Sequence, residues 1–259
     1  MPPFPPTENL PPIAAHSASA PGGIVLEGAS LRLSGREVLS GLTLRLTEPR
    51  IAILGRNGSG KTSFLRLVAG LVVPDSGTVR IDGRDPAHDR KAMLSRIGIL
   101  FQNPDHQIIF PTVAEELAFG LIQQGQTREG AGAQVRALLT AEGRAHWETA
   151  PVTALSQGQR QMLCLMAVLA MEPATILLDE PFAGLDLPTR ARLRRKLAAL
   201  AQQTVTITHD PAEITGHDRA IWIEAGRIHA DGPAAEVAAA FTEAMTREGE
   251  ADADTHLDA

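Results

Sequence analysis

Apolar and polar residues alternate over residues 24–33 and again over residues 42–46, where Leu31, Leu33 and Leu44 are among the apolar positions. A period of two is typical of a β-strand with one buried face. Residues 34–36, Ser-Gly-Arg, favour a tight turn between the two runs. The pattern therefore predicts a β hairpin near the beginning of the chain.

After Pro49 the chain alternates short apolar runs with stretches of helical spacing, which is typical of an α/β fold. Strands are predicted at residues 51–54, 78–81, 97–101, 175–178, 204–207, 220–223 and 227–229. Helices are predicted after residue 62 and at residues 92–96, 131–141, 156–171 and 188–201, and another is expected to begin at a capping box formed by Thr112 and Glu115. Because residues 102–171 are chiefly helical, we expect a helical insertion in an α/β core.

These elements predict a single domain over residues 24–240, with a core at residues 24–101 and 172–232 and an insertion at about residues 102–171. Residues 1–23 are predicted to be a disordered leader because seven of the chain's 18 prolines lie there. Residues 241–259 carry six acidic side chains and one arginine, so we expect an acidic, solvated tail with a frayed helix at most.

Composition narrows the class of protein. The chain has 259 residues, of which 44% are apolar, and its net charge of −6 argues against a general nucleic-acid surface. Its single cysteine, Cys164, excludes an internal disulfide and is interpreted as a small buried side chain. No apolar run approaches the roughly 20 residues that cross a bilayer, and the N-terminus lacks the pattern of a secretory signal. Any role at a membrane would therefore need a membrane-embedded partner.

A glycine-rich turn follows the strand at 51–54 and leads into a helix. Its glycines permit positive φ, so that several backbone N–H groups can approach a phosphate at the helix N-terminus. Lys61 can reach the terminal phosphates, and the Thr62 hydroxyl can bind Mg²⁺. The flanking strand and helix make a chance surface turn a poor explanation. We predict a nucleoside-triphosphate site formed by Gly55, Asn57, Gly58, Ser59, Gly60, Lys61, Thr62 and Ser63.

Two carboxylates follow the apolar strand at 175–178. Asp179 and Glu180 are expected at the carboxyl edge of a parallel sheet, where ligands bind in open α/β folds. Asp179 would hold Mg²⁺, and Glu180 would polarise the water that attacks the γ-phosphate. Alone these two carboxylates could form a solvated acidic turn, but together with the phosphate loop they predict hydrolysis of the bound nucleoside triphosphate.

Residues 155–159, Leu-Ser-Gln-Gly-Gln, resemble the signature motif of ATP-binding cassette (ABC) ATPases. Gln102 resembles the glutamine of that family's Q-loop, residues 183–186 resemble its D-loop, and His209 resembles its switch histidine. The resemblance covers about residues 24–231. It implies an α/β ABC ATPase fold, with a RecA-like P-loop core, an N-terminal antiparallel β subdomain and an inserted helical subdomain.

The resemblance also implies roles for individual residues. Gln102 would bind Mg²⁺ with Thr62 and Asp179, and Gln102, Glu180 and His209 would act on the γ-phosphate. Two copies of the chain, or the chain and a relative, would meet head to tail, so that each ATP is held between the phosphate loop of one subunit and the signature of the other. The residues that would contact ATP across that interface are Ser156, Gly158, Gln159 and Asp186.

The sequence departs from the family pattern at two positions. Gln157 stands where the signature usually has glycine, and Leu33 stands where an aromatic usually stacks on adenine. Without that stacking contribution of roughly 1–3 kcal/mol, we predict weak discrimination between ATP and GTP.

Residues 101–113 are similar to the ATPases of energy-coupling factor (ECF) transporters, which import vitamins and transition metals and carry a short extra helix after the Q-loop. Residues 48–50, 55–58 and 155–160 most resemble the biotin-transporter members, and ATPases of cobalt or nickel importers are the alternative. The resemblance implies a peripheral location at the cytoplasmic face of the cell membrane. It also implies two integral-membrane partners, a coupling protein and a substrate-binding protein, with motion passed to them by residues near 103–120, and no nucleic-acid partner.

A cytosolic ABC ATPase that acts on nucleic acid or ribosomes is the alternative from another class. Residues 70–155 leave no room for the long coiled coil of chromosome-type members, and the chain has one cassette where ribosome-type members have two. This alternative is therefore disfavoured.

Overall fold

The computed structural model describes residues 23–255, with side chains through Glu248. Its strands are β1 Ile24–Leu33, β2 Arg36–Leu46, β3 Arg50–Leu54, β4 Ser76–Ile81, β5 Ile97–Leu100, β6 Thr175–Asp179, β7 Gln203–Thr208, β8 Arg219–Glu224 and β9 Arg227–Pro233. Its helices are α1 Lys61–Val68, α2 Arg90–Met93, α3 Val113–Gln123, α4 Arg128–Ala141, α5 Gln157–Ala170, α6 Leu187–Ala198 and α7 Ala234–Thr255. Apart from Gly23, the predicted leader lies outside the described residues. Among the helices that the structure describes, none has the length and apolar character needed to span a bilayer.

The predicted hairpin forms one side of a small antiparallel sheet. β1 and β2 pair from Ile24 opposite Leu46 to Leu33 opposite Arg36, as the alternating pattern predicts. β4 pairs with the other edge of β1, giving the order β2-β1-β4. The local pattern predicted the strand at β4 but not the sheet that it joins, because that pairing is between residues distant in sequence.

The larger sheet has the strand order β5-β6-β7-β3-β8-β9, in which only β9 runs antiparallel to its neighbour. The side chains of β3 from Ile51 onward and of β6 are buried, as expected of parallel strands covered on both faces. In register, Leu54 lies opposite Thr208 and Asp179 opposite Ile207. The carboxyl ends of β3, β6 and β7 therefore meet at one edge of the sheet.

The helical insertion packs around α5. The run Met162–Met166 is buried, and α5 contacts both α3 and β5. Burial raises the pKa of the Cys164 thiol to about 12, in agreement with a structural rather than reactive cysteine. Thr112 caps α3 by accepting from the Glu115 N–H, but the Glu115 carboxylate accepts from the Thr112 hydroxyl instead of the backbone N–H, so the predicted capping box is incomplete.

The expectation of a frayed helix at most over residues 241–259 is wrong as far as Thr255, and the expectation of a solvated segment is wrong at Phe241. Helix α7 begins at Ala234 and continues to Thr255. Phe241 is buried and packs edge-on against Trp222, with ring centroids 5.2 Å apart. The acidic composition concealed an apolar face, formed by Ala234, Val237 and Phe241, that binds the helix to β8. Residues 256–259 lie outside the described part of the chain.

Candidate nucleotide site

The turn between β3 and α1 brings the backbone unusually close to its neighbours. A Cβ at Gly55 would lie 2.3 Å from the carbonyl oxygen of Ile223 and 2.5 Å from Ser59 Oγ. Gly60, which precedes the first helical residue, has φ of 109°, a conformation that favours glycine. Both glycines are thus required by the shape of the loop, as the sequence predicted.

Backbone donors at the beginning of α1 are available to a ligand. Within residues 23–255, the N–H groups of Gly60, Lys61 and Thr62 donate to no backbone or side-chain acceptor. Unpaired N–H groups at a helix N-terminus form an anion-binding concavity. The geometry fits the predicted phosphate cradle.

Lys61 lies folded into the loop. Its Nζ donates to the carbonyl oxygens of Gly55 at 2.9 Å and Arg56 at 2.8 Å, and the residue is only 5% exposed. Burial lowers the pKa of Lys61, whereas the charges of Glu180, Asp179 and Glu224 act in the opposite direction. A phosphate anion would offer this ammonium group a better partner than two neutral carbonyls.

Asp179 lies at the end of β6 beside the first turn of α1. Its Oδ1 is 3.5 Å from the Thr62 hydroxyl. Burial raises the pKa of Asp179 and the neighbouring Glu180 raises it further, while Lys61, Arg66 and Thr62 lower it. A desolvated carboxylate beside a hydroxyl is a suitable pair of oxygen donors for a hard cation.

Glu180 brings two of the predicted catalytic residues together. Its Oε2 accepts a hydrogen bond from Gln102 Nε2 at 3.1 Å, and its Oε1 lies 3.1 Å from His209 Nδ1. Glu180 has φ of 43°, a strained backbone conformation of the kind that occurs at functional sites. The three side chains end β5, β6 and β7, and the sheet register therefore accounts for their proximity.

Most of these groups line a cleft of about 760 Å³, whereas Asp179 lines a second pocket that shares Thr62 and Gln102 with the cleft. The walls of the cleft include most of the predicted phosphate loop together with Gln102, Glu180 and His209. The structure adds Val38, Arg190, Asp210 and Glu213, which the sequence did not indicate, and it places Ala183 and Gly184 of the predicted D-loop in the same wall. The hairpin contacts the phosphate loop through Gly226: the Ser40 N–H donates to the Gly226 carbonyl, and the Gly226 N–H donates to the Ser59 carbonyl. Val38 could not be assigned from the sequence because this contact joins distant parts of the chain.

The predicted signature residues lie outside this cleft. The Ser156 hydroxyl accepts from the Gln159 N–H, and the Gln159 side chain accepts from the Ser156 N–H, which completes a capping box at the N-terminus of α5. Asp186 caps α6 by accepting from the Thr189 N–H at 2.9 Å. In one copy of the chain these residues, with Gly158, therefore do not meet the phosphate loop, and their contact with ATP stays a prediction about a dimer.

Comparison with known proteins gives consistent matches. The chain matches the ABC transporter family over residues 39–183. It is 56% identical to the biotin transport ATP-binding protein BioM of Rhodobacter capsulatus over 216 residues, which cover 83% of this chain and 92% of the relative. BioM of Rhizobium etli is 40% identical over 220 residues, covering 85% and 98%.

Two solved structures share the fold. CbiO1 of Clostridium perfringens, described as part of the ABC transporter complex CbiONQ, has a TM-score of 0.70 at 28% identity and covers 83% of this chain and 90% of its own. An ATP-binding cassette solved as a dimer with ADP and Pi has a TM-score of 0.71 at 24% identity, covering 82% and 98%. At that lower identity the likeness concerns the fold alone.

Proposed function

The chain belongs to the ABC transporter ATPases, and from that membership we propose that it hydrolyses ATP to power an ECF-type importer of biotin. The α/β ABC fold expected from the sequence is confirmed. The observation that carries the choice of substrate is the 56% identity to a biotin transport ATPase over 83% of this chain.

In the proposed reaction the phosphate loop holds the nucleotide. The free N–H groups of Gly60, Lys61 and Thr62 and the Lys61 ammonium group bind the phosphates. Glu180 orients the attacking water, and Gln102 and His209 hold the Glu180 carboxylate from both sides. These groups stabilise charge and fix geometry, which is the main contribution of a protein to phosphoryl transfer.

Thr62, Asp179 and Gln102 are proposed as the residues that would hold Mg²⁺. Their fit rests on the buried Asp179 carboxylate, on the Thr62 hydroxyl 3.5 Å from it, and on the pocket that these two residues line together with Gln102. When bound, Mg²⁺ would neutralise charge on the β- and γ-phosphates.

The proposed partners are a second ATPase subunit, an integral-membrane coupling protein and a substrate-binding membrane protein, which would place the chain at the cytoplasmic face of the membrane. Support comes from the relatives, which are transport ATPases, one of them part of a transporter complex. A pull-down from detergent extract tests this set of partners. Integral-membrane proteins are expected, and ribosomal proteins or DNA in their place would favour the alternative class.

The decisive experiment measures uptake of labelled biotin by a host strain that lacks this chain. The wild-type chain should restore uptake, whereas Lys61→Ala should restore neither uptake nor nucleotide binding, because the phosphates lose their cation. Glu180→Gln should bind ATP while turnover falls by at least about 100-fold. Turnover near the wild-type rate would contradict the role of Glu180, and restored cobalt or nickel uptake in place of biotin uptake would identify the transition-metal alternative.

A further inference from the structure

Glu213 is a buried carboxylate on the wall of the nucleotide cleft, and it lies outside the motifs assigned above. Its side chain is 7% exposed, and it belongs to the 3-10 turn Pro211–Ile214 that follows β7. Arg190 Nη2 lies 3.7 Å from Glu213 Oε1 and is the one cation that the described residues place in ion-pair contact with it. A buried carboxylate is costly without a cationic partner, and Arg190 supplies one.

Glu213 holds the backbone on both sides of His209. Its Oε2 accepts a 2.6 Å hydrogen bond from the Thr208 hydroxyl, and that hydroxyl in turn accepts from the Asp210 N–H at 3.0 Å. The Glu213 N–H donates to the Asp210 carbonyl. These hydrogen bonds hold the residues on either side of His209, whose Nδ1 lies 3.1 Å from Glu180 Oε1.

Arg190 connects the same carboxylate to the loop that precedes α6. The backbone N–H of Arg190 donates to the Asp186 carbonyl in the first turn of the helix. In the side chain, Nη2 lies 3.5 Å from the carbonyl oxygen of Phe182. The guanidinium group therefore bridges the carbonyl oxygen of Phe182 and the carboxylate of Glu213. At 3.7 Å the contact with Glu213 is an ion pair without a close hydrogen bond, a geometry that can tighten when the cleft is filled.

We propose that Arg190 and Glu213 are positioning residues for ATP hydrolysis, coupling residues 182–186 to the orientation of His209 against Glu180. The inference rests on the proposed ATPase function. Neither side chain needs to touch the nucleotide. The pair matters to the geometry of the reacting groups, while the phosphate loop accounts for binding.

The test uses the full chain and measures kcat and the Kd of MgATP separately. Arg190→Ala and Glu213→Gln should each lower kcat by about 10- to 100-fold, because small displacements of reacting groups have effects of that size. The Kd should change by no more than about twofold, since an interaction that acts in the transition state leaves ground-state binding intact. Gln at position 213 can still accept the Thr208 hydrogen bond, so this variant isolates the charge.

Three further variants separate positioning from simple destabilisation. Arg190→Lys should recover part of the lost kcat because the cation is kept, and the double variant Arg190→Ala/Glu213→Gln should be no slower than the slower single variant. Arg192→Ala, an exposed arginine on the same helix, should match the wild type in both constants. Wild-type kcat in Arg190→Ala and Glu213→Gln, or losses of kcat and affinity that simply follow a lower Tm, would overturn the proposal. If Lys61→Ala retained nucleotide binding, the proposed function would fail instead.

Discussion

Asp179 shows at the scale of one residue how a binding site can oppose stability. Because burial raises its folded-state pKa above the ordinary value of 3.8, the ionised carboxylate destabilises the nucleotide-free fold at pH values above the raised pKa. This destabilisation fades as the pH falls through the raised pKa, and it is lost below pH 3.8, where the carboxyl group is protonated in both the folded and the unfolded state. Lys61, Arg66 and Thr62 offset part of this cost, and a bound cation would offset more of it.

We therefore expect Asp179→Asn to raise the Tm of the nucleotide-free protein at neutral pH and to lower ATP turnover by at least about 100-fold. The gain in Tm should shrink as the pH of the measurement falls toward 3.8. Asp186→Asn is the control for the change in Tm. The pKa of Asp186 is lowered by its hydrogen bonds to Thr189, so its charge does not destabilise the fold, and asparagine is an equally good N-cap. This variant should therefore not raise the Tm. A lower Tm for Asp179→Asn at neutral pH would contradict this account.

A second prediction at the scale of one residue concerns Leu33 and the discrimination between ATP and GTP. It is 36% exposed and does not line the cleft, where Val38 supplies an apolar side chain instead. We expect similar Kd values for MgATP and MgGTP, because no aromatic stacking residue is present at this position. A strong preference for ATP in a binding assay would contradict that expectation.

A variant that introduces an aromatic side chain at position 33 tests directly whether stacking on adenine strengthens ATP binding. Leu33→Tyr should tighten ATP binding by roughly 5- to 150-fold, since stacking is worth roughly 1–3 kcal/mol. Val73→Tyr is the matched control, because Val73 is also exposed and does not line the cleft. Equal effects of the two variants would show that any gain is unrelated to stacking.

At the scale of elements, the sequence predicted the type of most helices and strands but not always their ends. Predicted helix 92–96 is observed as α2 Arg90–Met93, and predicted helix 188–201 ends at Ala198 in α6. Ends depend on caps, which are partly visible in sequence: Ser156 and Gln159 form a full capping box, whereas Thr112 and Glu115 do not. The largest error, α7, arose from weighing charge above the spacing of Ala234, Val237 and Phe241.

The segment that follows Gln102 contacts helix α5. Residues Pro104–His106 form a short 3-10 helix, in the place where the resemblance predicted one. Asp105 pairs with Arg160 Nε at 2.9 Å, and Gln161 donates to the Phe101 carbonyl. The strand end that carries Gln102 is thereby fixed to α5, the helix whose N-terminus is the predicted signature.

At the scale of the whole molecule, the apolar strand before Asp179 and Glu180 predicted that these carboxylates lie at the sheet edge with the phosphate loop, because parallel strands place their carboxyl ends together. Gln102 and His209 were predicted from the family resemblance, and the same sheet geometry accounts for their position beside Glu180. Arg190 and Glu213 could not be found in that way. Their meeting depends on how α6 and the 3-10 turn at Pro211–Ile214 pack across the sheet edge, and neither segment has a pattern that specifies this.

The position of Ser156 leads to a prediction about assembly. Ser156 caps α5 and is exposed, so the N-terminus of that helix is accessible to an anion from outside the chain's own cleft. If a second copy supplies the γ-phosphate there, ATP should hold two copies together, because only the closed dimer contacts both faces. Glu180→Gln, which cannot complete hydrolysis, should form a dimer in size-exclusion chromatography with MgATP and a monomer without it.

A negative charge at position 156 tests whether the dimer forms through contact between the N-terminus of α5 and the γ-phosphate. Asp and Asn are as good N-caps as Ser, so both Ser156→Asp and Ser156→Asn should keep α5 and the Tm of the parent Glu180→Gln chain. The Asp carboxylate, however, would face the γ-phosphate of the opposite subunit, and like charges at close range repel. We expect the Asp variant to stay monomeric with MgATP and the Asn variant to dimerise. An ATP-dependent dimer of the Asp variant, at the affinity of the parent chain, would show that the helix end does not meet the phosphate.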